Sequence, residues 1–123
     1  MPTIPLVPPT LLIVDDHGSF RATARALLEC DGFDVVGEAP DGSTGLAAAR
    51  DLDPDVVLLD VRLPDIDGFA VAERLAAAGA RQAVILTSSS DDPLYPQRAR
   101  DSGACGFVAK HDLSGAALQR LLR

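Results

Sequence analysis

The sequence predicts an α/β fold, a doubly wound five-stranded parallel sheet covered by five helices. Short apolar runs alternate five times with longer segments of helical spacing, the pattern of repeated βα units. The strongest runs are continuously apolar rather than alternating, as strands buried on both faces are. A length of 123 residues, 47% of them apolar, suits one domain whose core needs no cross-link.

The first strand is Thr10 to Val14 (TLLIV), which stops at Asp15-Asp16. Phe20, Ala24, Leu27 and Leu28 then fall on one helical face, in a helix that ends near Gly32. Asp34 to Glu38 (DVVGE) forms a short second strand. An Ala-rich helix carrying Leu46, Ala49 and Arg50 follows and is stopped by Asp53-Pro54. Asp55 to Leu59 (DVVLL) is the clearest strand and runs straight into Asp60.

A helix from Asp67 to Ala78 turns Phe69, Ala72, Leu75 and Ala76 inward, with Gly79 just past its end. Ala83 to Thr87 and Gly106 to Ala109 are the last two strands. Pro93 and Pro96 crowd the segment between them. Proline is tolerated only in a helix's first turn, so the fourth helix is short and starts late. Leu113, Ala117, Leu118 and Leu121 line one face of the final helix, for which Asp112 is the expected N-cap.

Residues 1–9 are expected to form an extended arm. Pro2, Pro5, Pro8 and Pro9 break any helix, and the stretch lacks the basic start of a signal peptide. No apolar run approaches the ~18 residues of a membrane span, so no membrane contact and a cytoplasmic setting are expected. Cys30 and Cys105 match no metal spacing and are expected to be buried, reduced thiols. Eleven cationic against 18 acidic side chains give a net charge of −7. That balance opposes nucleic-acid binding, which needs clustered cations. It suits carboxylates gathered around a divalent metal.

Ligands of a doubly wound sheet sit beyond the carboxyl ends of its strands. Those ends here carry Asp15-Asp16, Asp60, Thr87-Ser88 and Lys110. Three carboxylates so close repel one another unless a cation neutralises them, and Mg²⁺ is a hard ion that takes oxygen ligands alongside phosphate and water. A hydroxyl and an ammonium beside it are donors to phosphoryl oxygens. The set suits in-line phosphoryl transfer, where catalysis is positioning and charge neutralisation. His17 invites a metal-ligand reading too, but imidazole matches Mg²⁺ poorly, and an exposed helix start is expected there.

In these residues the chain resembles the response-regulator receiver family of bacterial two-component systems, from about Thr10 to Arg123. The resemblance rests on Asp15-Asp16, on Asp60 with the loop Asp60-Val-Arg-Leu-Pro-Asp-Ile-Asp-Gly68, on Thr87, and on Lys110 after Phe107-Val-Ala. It implies the flavodoxin-like strand order 2-1-3-4-5 and a domain over residues 10–123. It implies that Asp60 accepts a phosphoryl group from a histidine kinase. Asp16 would ligate Mg²⁺ directly, Asp15 largely through water, and the backbone carbonyl of Arg62 would be a further ligand. Thr87 and Lys110 would hold phosphoryl oxygens, and Phe107 would change rotamer as Thr87 moves.

The sequence departs from many receivers at His111, which follows Lys110 where proline is common; a trans peptide is expected there. The VRLP after Asp60 and the DLSGAAL of the last helix are similar to receivers that precede a helix-turn-helix DNA-binding domain. No such domain lies within this sequence, which reads either as a stand-alone receiver or as one cut from a longer regulator at Arg123, so output would run through that domain or through a partner. Homodimerisation through the fourth helix, fifth strand and last helix is the other expectation. The chain is read as a self-phosphorylating and self-dephosphorylating switch, not a turnover enzyme. Two other readings stand beside it: a pseudo-receiver that never takes phosphate, and a small Mg²⁺-dependent phosphotransferase or phosphatase. The short loops offer the last no substrate pocket.

Overall fold

In the computed structural model, which describes residues 7–123, five parallel strands form one sheet in the order β2-β1-β3-β4-β5. The strands are β1 (Thr10–Val14), β2 (Asp34–Ala39), β3 (Val56–Asp60), β4 (Ala83–Ser88) and β5 (Gly106–Ala109). Between and after them run α1 (Gly18–Cys30), α2 (Gly42–Leu52), α3 (Gly68–Ala77), α4 (Tyr95–Asp101) and α5 (Gly115–Leu122). Most of the arm expected over residues 1–9 lies outside the described residues. No helix among them is long and apolar enough to cross a membrane.

The period of two along each strand divides the core. Leu12, Val14, Val57, Leu59, Val84 and Leu86 pack on one face with Ala49 of α2, Phe69 and Leu75 of α3, and Tyr95 and Ala99 of α4. Leu11, Ile13, Val56, Leu58, Ile85 and Val108 pack on the other with Ala24 and Leu28 of α1 and Ala117 and Leu118 of α5. Both faces are covered, which is why these strands read as continuous apolar runs.

Helix ends follow local chemistry. Asp41 caps α2 by accepting from Thr44 N–H, and Asp67 caps α3 by accepting from Ala70 N–H. Gly79 takes φ +69° just past α3, the left-handed turn expected of it. The fourth helix begins at Tyr95 with Pro96 in its first turn and spans seven residues, short and late as the prolines require.

Several expectations are corrected. Leu27 sits at the edge of its stripe and is 36% exposed, because α1 buries only the narrow seam through Ala24 and Leu28. In α3 the buried row runs through Val71, and Ala76 faces solvent. Asp112 is not the cap of α5: it belongs to a 3₁₀ turn at Lys110–Asp112, and Ser114 caps by accepting from Ala117 N–H. Cys30 and Cys105 are both free but exposed, one ending α1 on its outer side and one in the turn before β5. The Lys110–His111 peptide is trans.

Candidate functional site

Strand register assembles the site. Asp60 and Thr87 are direct partners across β3 and β4, and Val61 N–H donates to Thr87 carbonyl at 2.9 Å. Asp15 follows Val14, which pairs with Leu59, and Lys110 follows Ala109, which pairs with Ser88. Counting by twos from Ile13, Leu58, Ile85 and Val108 gives Asp15, Asp60, Thr87 and Lys110. All four continue the sheet face that packs under α1 and α5, at its carboxyl edge.

Burial there is severe for polar groups. Asp15 is 0%, Asp60 3% and Thr87 1% exposed. Lys110 Nζ lies 2.7 Å from Asp15 Oδ2 and 3.6 Å from Asp60 Oδ2, while resting 4.2 Å from the centre of the Phe20 ring. The close approach to Asp15 is not aligned as a directed hydrogen bond, so its Oδ2 remains without one. Arg62 N–H donates to Asp60 Oδ1 at 3.3 Å, which brings the residue 62 peptide against the carboxylate. Asp16 is the outer member of the acidic pair, with its side chain 35% exposed.

Burial pushes the Asp60 carboxyl up to about 6, and the neighbouring charge of Asp15 adds to the rise; Lys110 and the Arg62 N–H oppose it. Three carboxylates against one ammonium leave an excess of negative charge. Their all-oxygen donor set fits a hard divalent cation. Among the described residues Thr87 Oγ1 is buried without a hydrogen-bond partner, a cost of about 1–3 kcal/mol unless a ligand answers it. An anionic oxygen on Asp60 would do so.

The loop from Val61 to Asp67 is shaped around Asp60. Gly68 N–H donates to Val61 carbonyl at 2.7 Å, and a Cβ at Gly68 would fall 2.2 Å from the Asp60 carbonyl oxygen, so only glycine fits. Asp65 accepts from the N–H groups of Gly42 and Ser43 at the start of α2, at 2.8 and 2.9 Å. Those two bonds hold its carboxyl far below the usual range. Below α1, Arg21 donates to the Asp15 carbonyl at 2.7 Å and pairs with Glu38, which also holds Arg25.

Phe107 is one residue out of phase with the polar set. It lies on the other face of the sheet, where Tyr95 stands edge-on between Phe107 and Phe69 with both centroid distances 5.5 Å. The Arg98 guanidinium stacks 4.1 Å over Phe69. Sequence reasoning missed Tyr95, Phe20 and Asp65. Phe20 was legible only as a core position, and the roles of Tyr95 and Asp65 come from contacts between elements.

The family model for the response regulator receiver domain matches residues 11–121. BvgA of Bordetella pertussis, described as a transcription regulator of virulence factors, is 40% identical over 83% of this chain and 49% of its own length. The response regulator GacA of Pseudomonas aeruginosa is 36% identical over 92% of this chain and 51% of its own. The chain thus spans about half the length of these relatives. The solved NarL receiver domain of Mycobacterium tuberculosis superposes with a TM-score of 0.85 at 32% identity, covering 94% of this chain and 98% of that one. With the strand order, the acidic edge and the lysine already in place, the chain belongs to the response regulator receiver domain family.

Proposed function

We propose that Asp60 is the phosphoacceptor of a two-component signalling switch, loaded from a histidine kinase in the presence of Mg²⁺. The observation that carries it is the pairing of a buried Asp60 with a buried, partnerless Thr87 hydroxyl on the adjacent strand. Those two groups and the nearby Lys110 ammonium are the donors and acceptor that an anion bound at Asp60 would meet.

Asp15, Asp16 and Asp60, with the carbonyl of Arg62, would hold the metal. When bound, Mg²⁺ supplies positive charge against the phosphoryl oxygens. In the transfer, an Asp60 carboxylate oxygen bonds to phosphorus while the donor's P–N bond breaks and its electron pair leaves with the kinase imidazole. Lys110, now between Asp15 and Asp60, turns to a phosphoryl oxygen, and Thr87 Oγ1 donates to another. The chain is read as a switch that takes up and loses its own phosphoryl group, in keeping with the receiver family to which it belongs.

Output runs through the surface of α4, β5 and α5, where Pro93, Pro96, Phe107, Ala117 and Leu121 line a groove of about 510 Å³. Dimerisation there, or contact with a helix-turn-helix DNA-binding domain, would couple the switch to transcription, which BvgA is described as regulating. Intact-protein mass after incubation with a small phosphodonor and Mg²⁺ tests the assignment. One added phosphoryl group on the wild type and none on Asp60→Asn is expected; labelling of Asp60→Asn places the acceptor elsewhere.

A further inference from the structure

His17 opens α1 directly after the acidic pair, and its ring turns onto the carboxylates. Nδ1 lies 3.0 Å from Asp16 Oδ1 and 3.3 Å from Asp15 Oδ1, while the side chain stays 66% exposed. One donor atom from each of Asp15, Asp16, His17 and Asp60 lies within 4.8 Å of all the others. Around an ion with bonds of about 2.1 Å, neighbouring octahedral donors are about 3.0 Å apart and opposite ones about 4.2 Å. The two His17 distances match such edges, and the whole set closes on one ion with a contraction of about half an ångström.

A second feature marks the same spot. Asp15 Oδ2 accepts no directed hydrogen bond although its side chain is 1% exposed. The Lys110 ammonium lies 2.7 Å from it, one positive charge against three carboxylates. The imidazole thus stands with Asp16 at the open, solvent side of a donor set whose inner members, Asp15 and Asp60, are buried.

We propose that His17 is itself a metal ligand, so that this receiver binds borderline divalent ions such as Co²⁺, Ni²⁺ or Zn²⁺ more tightly than an all-oxygen site would. Nitrogen adds little for Mg²⁺, which prefers oxygen and keeps its waters, and much for the later first-row ions. The inference rests on the reading of the acidic cluster as the divalent-metal site. An imidazole that merely hydrogen-bonds Asp16 and orients it would serve every metal alike.

Calorimetric titration separates these cases, using Mg²⁺ and Co²⁺ in turn on tag-free wild type, His17→Ala and Asp16→Asn, with circular dichroism to verify folding. Expected for His17→Ala is a loss of Co²⁺ affinity of about tenfold or more, with Mg²⁺ affinity held within about twofold. The visible absorption of the Co²⁺ form should also move to longer wavelength as water replaces nitrogen. Equal loss for both ions would make His17 an orienting residue only, and an unchanged Co²⁺ affinity and spectrum would make it a bystander; either overturns the proposal. Failure of the underlying metal site looks different: the wild type binds neither ion, or Asp16→Asn binds both as well as the wild type does.

Discussion

Lys110 is drawn to Asp15 more closely than to Asp60: its Nζ is 2.7 Å from the first carboxylate and 3.6 Å from the second. The ammonium therefore stabilises the resting protein before it meets any phosphoryl group. Both partners are largely out of water, so removing one strands the other's charge. Lys110→Met should destabilise the protein by about 3 kcal/mol in chemical denaturation, and a few millimolar Mg²⁺ or the added change Asp15→Asn should restore much of it. Wild-type stability of Lys110→Met without metal would show that the pair contributes nothing at rest.

Thr87 gives the opposite result at rest. Its hydroxyl is buried and unpaired, so the nearly isosteric Thr87→Val should stabilise the resting protein by about 1 kcal/mol. The same change should reduce the stabilisation conferred by beryllofluoride with Mg²⁺, because the valine cannot donate to the phosphoryl mimic. Denaturation midpoints with and without the mimic measure both effects, and Thr87→Ser should keep the response. A valine variant that responds fully would release Thr87 from its role.

The Asp60 carboxyl sets a pH dependence of its own. Folding raises it from the usual 3.8 to about 6, so the folded form binds the proton more tightly. The metal-free protein should gain stability as pH falls from about 7 through 6 toward 4, by an amount on the order of 3 kcal/mol. Asp65, Glu38 and Asp55 act in the other sense: their carboxyls are lowered in the fold, and that stability disappears as they protonate in acid. Maximum stability without metal is expected near pH 5. Urea midpoints at pH 5 and pH 7.5 should differ in the wild type and converge in Asp60→Asn.

The seven-residue α4 and the polar loop before it should be the most easily opened part of the sheet's cover. Leu94 is 65% exposed there, and Tyr95 and Ala99 alone anchor the helix in the core. Amides from Ser89 to Arg100 should exchange faster than those of α1, α2, α3 and α5, and beryllofluoride with Mg²⁺ should slow them. Tyr95→Leu, which removes the ring between Phe69 and Phe107, should cost about 1 kcal/mol and weaken that slowing while leaving Mg²⁺-dependent labelling of Asp60 intact. Uniform protection across the helices would place the switch elsewhere.

The strands and the polar residues at their ends were legible because a period of two and a continuous apolar run survive in any context. The same period carries Asp15, Asp60, Thr87 and Lys110 to one face. What could not be read depended on neighbours. Leu27 and Ala76 fit helical stripes whose width is set by how closely α1 and α3 approach the sheet. Asp112 lost the cap to Ser114 because Lys110 to Asp112 had already turned into a 3₁₀ geometry. Cys30 was assigned by the habits of its residue type, while its place at the outer end of α1 decided its exposure. Tyr95 and Asp65 act across elements far apart in sequence.

The division of the core has a mechanical consequence. Asp60, Thr87 and Lys110 lie on one side of the sheet, and Phe69, Tyr95 and Phe107 lie on the other. The sheet is therefore a partition between the proposed phosphoacceptor and the three rings. A displacement started at Thr87 has a path over the rim, through the backbone that leaves β4 at Ser88. The same peptide chain enters the loop before Tyr95, so that rim is a short route from carboxylate to ring, and stiffening it should weaken the coupling of the two sides while leaving each intact.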